Sequence, residues 1–186
     1  MRNLLKNRLA LSTVVTTLII LVVSVLLAGV VTYFAINVTS TRVQEESLHL
    51  TKQHVWYQSS ASYSEAAILV INTGGRDVVL DKITVRGQEC AWENVFFDIT
   101  NSPPTDDLSF LASASVDKGL TFMTSYEFEN STDTDGDIVL TSGNSIIIYI
   151  KSPDSISVND IGLTVAITIY TSQAMYYKEC NVETSS

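Results

Sequence analysis

Residues 7–37 read NRLALSTVVTTLIILVVSVLLAGVVTYFAIN, and the fate of this stretch decides how the rest of the chain is understood. Arg8 is its one charge, and no other follows until Arg42. As a helix at ~1.5 Å per residue, Leu9 to Ile36 would reach roughly 42 Å, beyond the ~30 Å of a bilayer's hydrocarbon layer. The apolar core of a secretory signal spans only about 7–15 residues and ends at a small-x-small cleavage site. This run is longer and has no such site behind it. The segment therefore reads as a membrane helix.

Charge gives the helix a direction. Of 11 basic residues, Arg2, Lys6 and Arg8 precede the run, while all 20 acidic residues lie at Glu45 or later. Basic flanks stay on the cytoplasmic side. The expectation is a single-pass chain with a cytoplasmic N-terminus and an acidic external domain. An acidic surface repels nucleic acid, so DNA and RNA are excluded as partners.

Within the run, Ser24, Ala28 and Thr32 form a small-xxx-small ridge with Gly29 beside it. Such ridges let helices approach closely where the surroundings are apolar. Ser and Thr are also simply tolerated in membrane helices, so the ridge alone does not decide for packing.

LALSTVV, residues 9–15, resembles the prepilin junction (class III signal peptide) of archaeal type IV pilins. That resemblance makes residues 1–10 a basic leader cut between Ala10 and Leu11. Leu9 stands where the family usually has a charge, and Arg8 is one step further back. Val15 occupies the place of the Glu found in bacterial pilins, which points to the archaeal branch. AAILVINTGGRDVVLDKITVRGQ (66–88) is similar to a recurrent hairpin of archaeal pilin and archaellin-like ectodomains, and LTVAITIYTSQAMYYKECNV (163–182) to their closing hairpin. The resemblance implies a membrane precursor processed by a prepilin peptidase. An assembly ATPase and a polytopic platform protein then draw it into a homo-oligomeric helical filament at the cell surface.

Between Val30 and Ala61 there is no Gly or Pro, and Glu45, Glu46, Leu48, Leu50, Lys52 and Gln53 are adequate helix formers. These residues predict one helix from Leu11 to about Trp56, roughly 69 Å long. Residues 11–57 are thus the membrane or filament-core helix and its stalk. QSSASYS (58–64) leads into the next unit.

From about Tyr63 the pattern turns to period two. Gly74 and Gly75 in TGGR suggest a tight hairpin between EAAILVIN and DVVLDKITVR. Further short β-rich runs follow at close spacing, with no long helical pattern among them. The fold class expected is α+β: a long N-terminal hydrophobic helix, then an antiparallel Ig-like β-sandwich ectodomain over 58–186.

Few residues carry a chemical signal. The two cysteines, Cys90 and Cys180, lie in a segment placed outside the cell, where they either bond to each other or remain buried thiols. In STDTDGDI, Asp133, Asp135 and Asp137 alternate around Gly136 as the carboxylates of a calcium loop do, and as an acidic turn also does. Calcium is the only cofactor suggested. Asn37 and Asn130 head N-glycosylation sequons. His49 and His54 fall in the stalk, five apart, on different sides of a helix. No nucleophile elbow, phosphate loop or HExxH motif occurs. The sequence reads as a structural subunit, not an enzyme. The alternative is an anchored β-sandwich that binds a partner or envelope component without polymerising.

Overall fold

The computed structural model describes residues 4–43, 45–112, 115–123, 125–130 and 137–185. It divides into two units, Met1–Gln44 and Glu45–Ser186. The first is one helix, α1, Leu4–Val43. Its stretch Ser12–Thr41 has a mean hydropathy of 2.9 and no buried part. Apolar side chains are exposed on every side, Val14, Leu18, Leu21 and Val25 as much as Val15, Ile19, Val22 and Leu26. A helix apolar all round is a membrane span or the core of something larger.

Among the described residues the second unit has twelve strands: β1 Leu48–Gln58, β2 Tyr63–Asn72, β3 Val78–Val85, β4 Gln88–Glu89, β5 Val95–Thr100, β6 Thr121–Phe122, β7 Tyr126–Glu127, β8 Glu129–Asn130, β9 Ile138–Leu140, β10 Ser145–Lys151, β11 Thr164–Thr171 and β12 Met175–Thr184. Ten of them join in one sheet, ordered β4-β3-β11-β12-β1-β2-β10-β5-β8, with β9 on the free side of β3. β6 and β7 form a separate ribbon. Among the described residues the pairings are antiparallel except β1 with β12, which run parallel from Val55–Val182 to Tyr57–Thr184.

The sheet curls so that its two halves face each other across one core. Ile68 and Val70 of β2, Ile146, Ile148 and Ile150 of β10, Leu80 and Ile83 of β3, and Ile167 and Ile169 of β11 all belong to it. The other face of β1, β2, β5 and β10 carries a second core: Trp56, Ala67, Leu69, Phe96, Ile147 and Tyr149 meet Leu108, Val116, Phe122 and Phe128. The intervening strands are therefore covered on both sides, which explains why AAILV and IIIYI are continuous apolar runs instead of alternating ones.

Three expectations are corrected. The stem does not run as a helix to Trp56: α1 ends at Val43, β1 starts at Leu48, and the β unit begins at Glu45 rather than at 58. In LHLTKQHVWYQ, Leu48, Leu50 and Val55 go to the shared core while Trp56 goes to the second one. Burial of these side chains on a pleated surface outweighs modest helix propensities.

The second correction concerns TGGR. β2 pairs with β1 and β10, and β3 pairs with β11, β4 and β9, so residues 73–77 cross between the half-sheets. Gly74 is needed for close approach: a Cβ there would lie 2.6 Å from the Glu45 carbonyl oxygen and 2.7 Å from the Ser47 nitrogen. The tight hairpin is at Arg86–Gly87, whose φ angles of 52° and 79° suit a two-residue turn between β3 and β4.

Third, the Ig-like arrangement of two antiparallel sheets is not seen. The sheet is continuous and mixed, because β12 pairs with β11 through Asn181 and then with β1 from Val182. What holds is the coarser architecture, a long apolar helix followed by a mostly antiparallel β domain, and its closing β11–β12 hairpin.

Candidate functional site

The helix is the largest feature without a packing partner in the structure. Five of its hydroxyls are satisfied internally. Thr16 donates to Ser12 O at 2.9 Å, Thr17 to Val14 O at 2.9 Å, Ser24 to Ile20 O at 2.7 Å, Thr32 to Ala28 O at 2.8 Å and Thr41 to Asn37 O at 2.9 Å. Each is a bond to the preceding turn, so none of these side chains carries an unmet polar atom into an apolar medium. Ser24, Ala28, Gly29 and Thr32 are all exposed, and a Cβ at Gly29 would meet nothing within 4 Å. The ridge is therefore open to a second helix. The backbone at Ala10 and Leu11 is helical.

Cys90 and Cys180 are free thiols, so the bond considered from sequence is not made. The Cys90 N–H donates to Ile83 O of β3 at 2.9 Å, and Cys180 pairs with Val165 of β11. Two strands lie between them, a separation of roughly 14 Å at ~4.8 Å per strand, against the ~7 Å limit for bridging. Both pack against the shared core. Burial pushes the Cys90 thiol up to about 11, and burial with the nearby Glu183 carboxylate does the same for Cys180.

Asn130 is a poor glycan acceptor. It is buried, and its side-chain amide donates to Glu93 O at 3.1 Å and Val95 O at 3.4 Å. Asn37 is exposed but sits inside the apolar stretch of α1. Of the proposed calcium ligands, Asp133 and Asp135 lie outside the described residues, and Asp137 is exposed. Among the described residues, no group of three or more His, Cys, Asp and Glu is placed to hold a metal.

Two clusters escaped the sequence reading. The first is on β1, where a bulge at Lys52, with φ of 52°, separates Thr51 from His54. Lys52 Nζ donates to Pro104 O at 2.6 Å and also to Asp106 O. His54 stacks on Trp56 with ring centroids 5.0 Å apart, and its Nε2 lies 3.1 Å from Asp107 Oδ1. Burial raises the Asp107 carboxyl, but the hydrogen bond and charge of His54, the Leu108 N–H and Lys52 together hold it below the usual range. A helical stalk, as expected from the sequence for Lys52, His54 and Trp56, conceals the cluster.

The second cluster surrounds Glu65, which has no exposed surface. Its Oε1 accepts the Leu111 N–H at 2.9 Å and its Oε2 the Tyr63 O–H at 3.1 Å. Burial pushes its carboxyl up to about 7, against the two hydrogen bonds that pull it down. The signal that could have found it is an acid at the head of an apolar run, SEAAILV.

No family model and no curated protein matches this sequence. Among solved structures, the chain is similar to the ligand binding region of Serine-glutamate repeat protein A (SgrA) of Enterococcus faecium, at 14% identity and a TM-score of 0.32. That likeness covers 77% of this chain and 99% of that one. At such a score it carries no argument about function.

Proposed function

We propose that this chain is a structural subunit of an archaeal type IV pilus-like surface filament, polymerising through its N-terminal helix. One observation carries the reading. Ser12–Thr41 is apolar on every side and wholly uncovered, while the β domain closes both of its cores with residues 48–182. Each Leu, Ile or Val side chain hidden from water contributes ~1.5–3 kcal/mol. A bundle of identical helices supplies that burial once lipid is left behind, and the Ser24–Ala28–Thr32 ridge allows close approach.

In this reading the precursor spans the cell membrane with its N-terminus in the cytoplasm. A prepilin peptidase cuts after Ala10, and an assembly ATPase and platform protein feed the subunit into the growing thread. The second reading is a single-pass anchor whose β domain meets a partner or envelope component. The internal bonds of Thr16, Thr17, Ser24, Thr32 and Thr41 favour it, because these hydroxyls stay satisfied in lipid alone.

Mass spectrometry of the mature N-terminus, with electron microscopy of sheared surface material, tests the proposal. A chain starting at Leu11 within a filament supports it. A chain retaining Arg2, Lys6 and Arg8, on cells whose filaments contain none of it, leaves the anchor reading.

A further inference from the structure

Residues 101–112 form a strap across the outer face of β1, β2 and β10. The strap makes neither helix nor strand, yet Leu108 is buried within the second core and Phe110 packs against it. It is held by side chains reaching up from the sheet. Lys52 donates to Pro104 O and Asp106 O, His54 meets Asp107, and Tyr149 Oη donates to Ser109 O at 3.0 Å. Tyr126 Oη donates to Ser102 O at 2.9 Å. The innermost clasp is the Leu111 N–H on Glu65. Phe110 closes over that clasp, edge-on to Trp56 at 6.2 Å and to Tyr63 at 5.9 Å between centroids.

We propose that the strap is a pH-governed cover: it is seated when Glu65 is neutral and lifts as Glu65 ionises. A carboxylate with no exposed surface has lost its hydration, and two hydrogen bonds replace only part of it. The charged form regains water only if its cover moves, and the cover over Glu65 is Phe110–Leu111. The groups facing Glu65 do not neutralise it. Tyr63 donates a hydrogen bond as a neutral phenol. Trp56 and Lys151 are its cross-strand partners on β1 and β10, but the Lys151 ammonium is drawn to Val116 O at 3.3 Å and lies 5.9 Å from the Phe96 ring. Tyr149 is held neutral by burial and by the proximity of Glu65. On the strap, Asp107 adds negative charge and is engaged by His54 and Lys52. On β1, His54 lies behind Trp56.

The sign follows from linkage. Burial pushes the carboxyl up to about 7 under the seated strap, against the ordinary 4.5 of a hydrated one. Seating is therefore strongest below the lower value and weakens as pH rises through the upper one. The ratio of lifted to seated strap grows roughly 50- to 100-fold between pH 5 and pH 8.

Hydrogen exchange of the full-length protein in detergent tests this, with rates corrected for intrinsic pH dependence. The Leu111 amide is expected to lose roughly 50- to 100-fold in protection between pH 5 and pH 8, while the Ile148 amide in β10 stays protected. In Glu65→Gln the Leu111 protection is expected to be flat with pH. Equal protection at both pH values in the natural protein, or the same fall in the glutamine variant, overturns the proposal. If that variant does not fold, Tyr63→Phe decides. Loss of its O–H donor moves the midpoint of the Leu111 transition to higher pH, and an unmoved midpoint refutes a role for Glu65.

Discussion

Gly74→Ala is the sharpest probe of how the β domain is closed at its N-terminal end. The added methyl carbon would lie 2.6 Å from Glu45 O and 2.7 Å from Ser47 N. Both are backbone atoms, so neither can rotate away. To reach ordinary contact the two segments must part by about 0.8–0.9 Å, given that non-bonded atoms settle near 3.5 Å. Three backbone hydrogen bonds hold them where they are: Thr73 N to Ser47 O at 2.9 Å, Gly74 N to Ser47 O at 3.0 Å, and Gly75 N to Glu45 O at 3.2 Å. Overpacking costs ~1–3 kcal/mol, and weakening one or two of these bonds adds about 1 kcal/mol. The stiffer unfolded chain returns ~0.4–1 kcal/mol. The net loss is about 2–3 kcal/mol, a fall of roughly 8 °C in Tm for a domain of this size. Thermal unfolding in detergent, followed by far-ultraviolet circular dichroism, measures it. Gly29→Ala is the control, since nothing stands within 4 Å of a Cβ there and alanine favours a helix. A Gly74→Ala protein that melts within about a degree of the parent would falsify the close-approach argument.

Other outcomes follow from the same geometry. Ile148→Ala, at a site with no exposure, is expected to cost about 3–4 kcal/mol in chemical denaturation, whereas Val139→Ala on the exposed edge strand costs under ~0.5 kcal/mol. Reducing agent is expected to leave Tm unchanged, and thiol titration of unfolded protein to count two free cysteines; in the folded protein alkylation at pH 8 is slow, because a thiol near 11 leaves roughly one thiolate in a thousand. The Ser157 hydroxyl and N–H, with Arg86 behind them at 2.6 Å, hold the Asp160 carboxyl below its usual range. Its contribution is present above the unfolded value and is lost as pH falls through the folded one, so Asp160→Asn flattens the acid limb of a stability–pH curve.

The helix was legible because nothing competes with an uncharged run that long. Its end was not. Leu48, Leu50 and Lys52 have acceptable propensities in either state, and the choice is made by neighbours distant in sequence, Val70 and Leu69 on β2. TGGR misled for a related reason. A glycine pair signals freedom, but sequence does not say whether the freedom serves a turn or the passage of another backbone; at Gly74 it serves the latter. The Ig-like expectation named short antiparallel strands but could not supply their order, and order is what sets β3 and β11 between Cys90 and Cys180. The strap was not legible as a strap, since residues 101–112 are fixed in place by side chains from β1, β2 and β10.

The parallel pairing of β1 with β12 has a mechanical consequence. Tension applied to the N-terminal helix enters the domain through β1, an interior strand gripped by β2 on one side and by the chain's last strand on the other. Drawing β1 out along its own axis loads many backbone bonds in shear at once, instead of peeling them singly from a free margin. A domain held in this way resists such a pull without unravelling from that end.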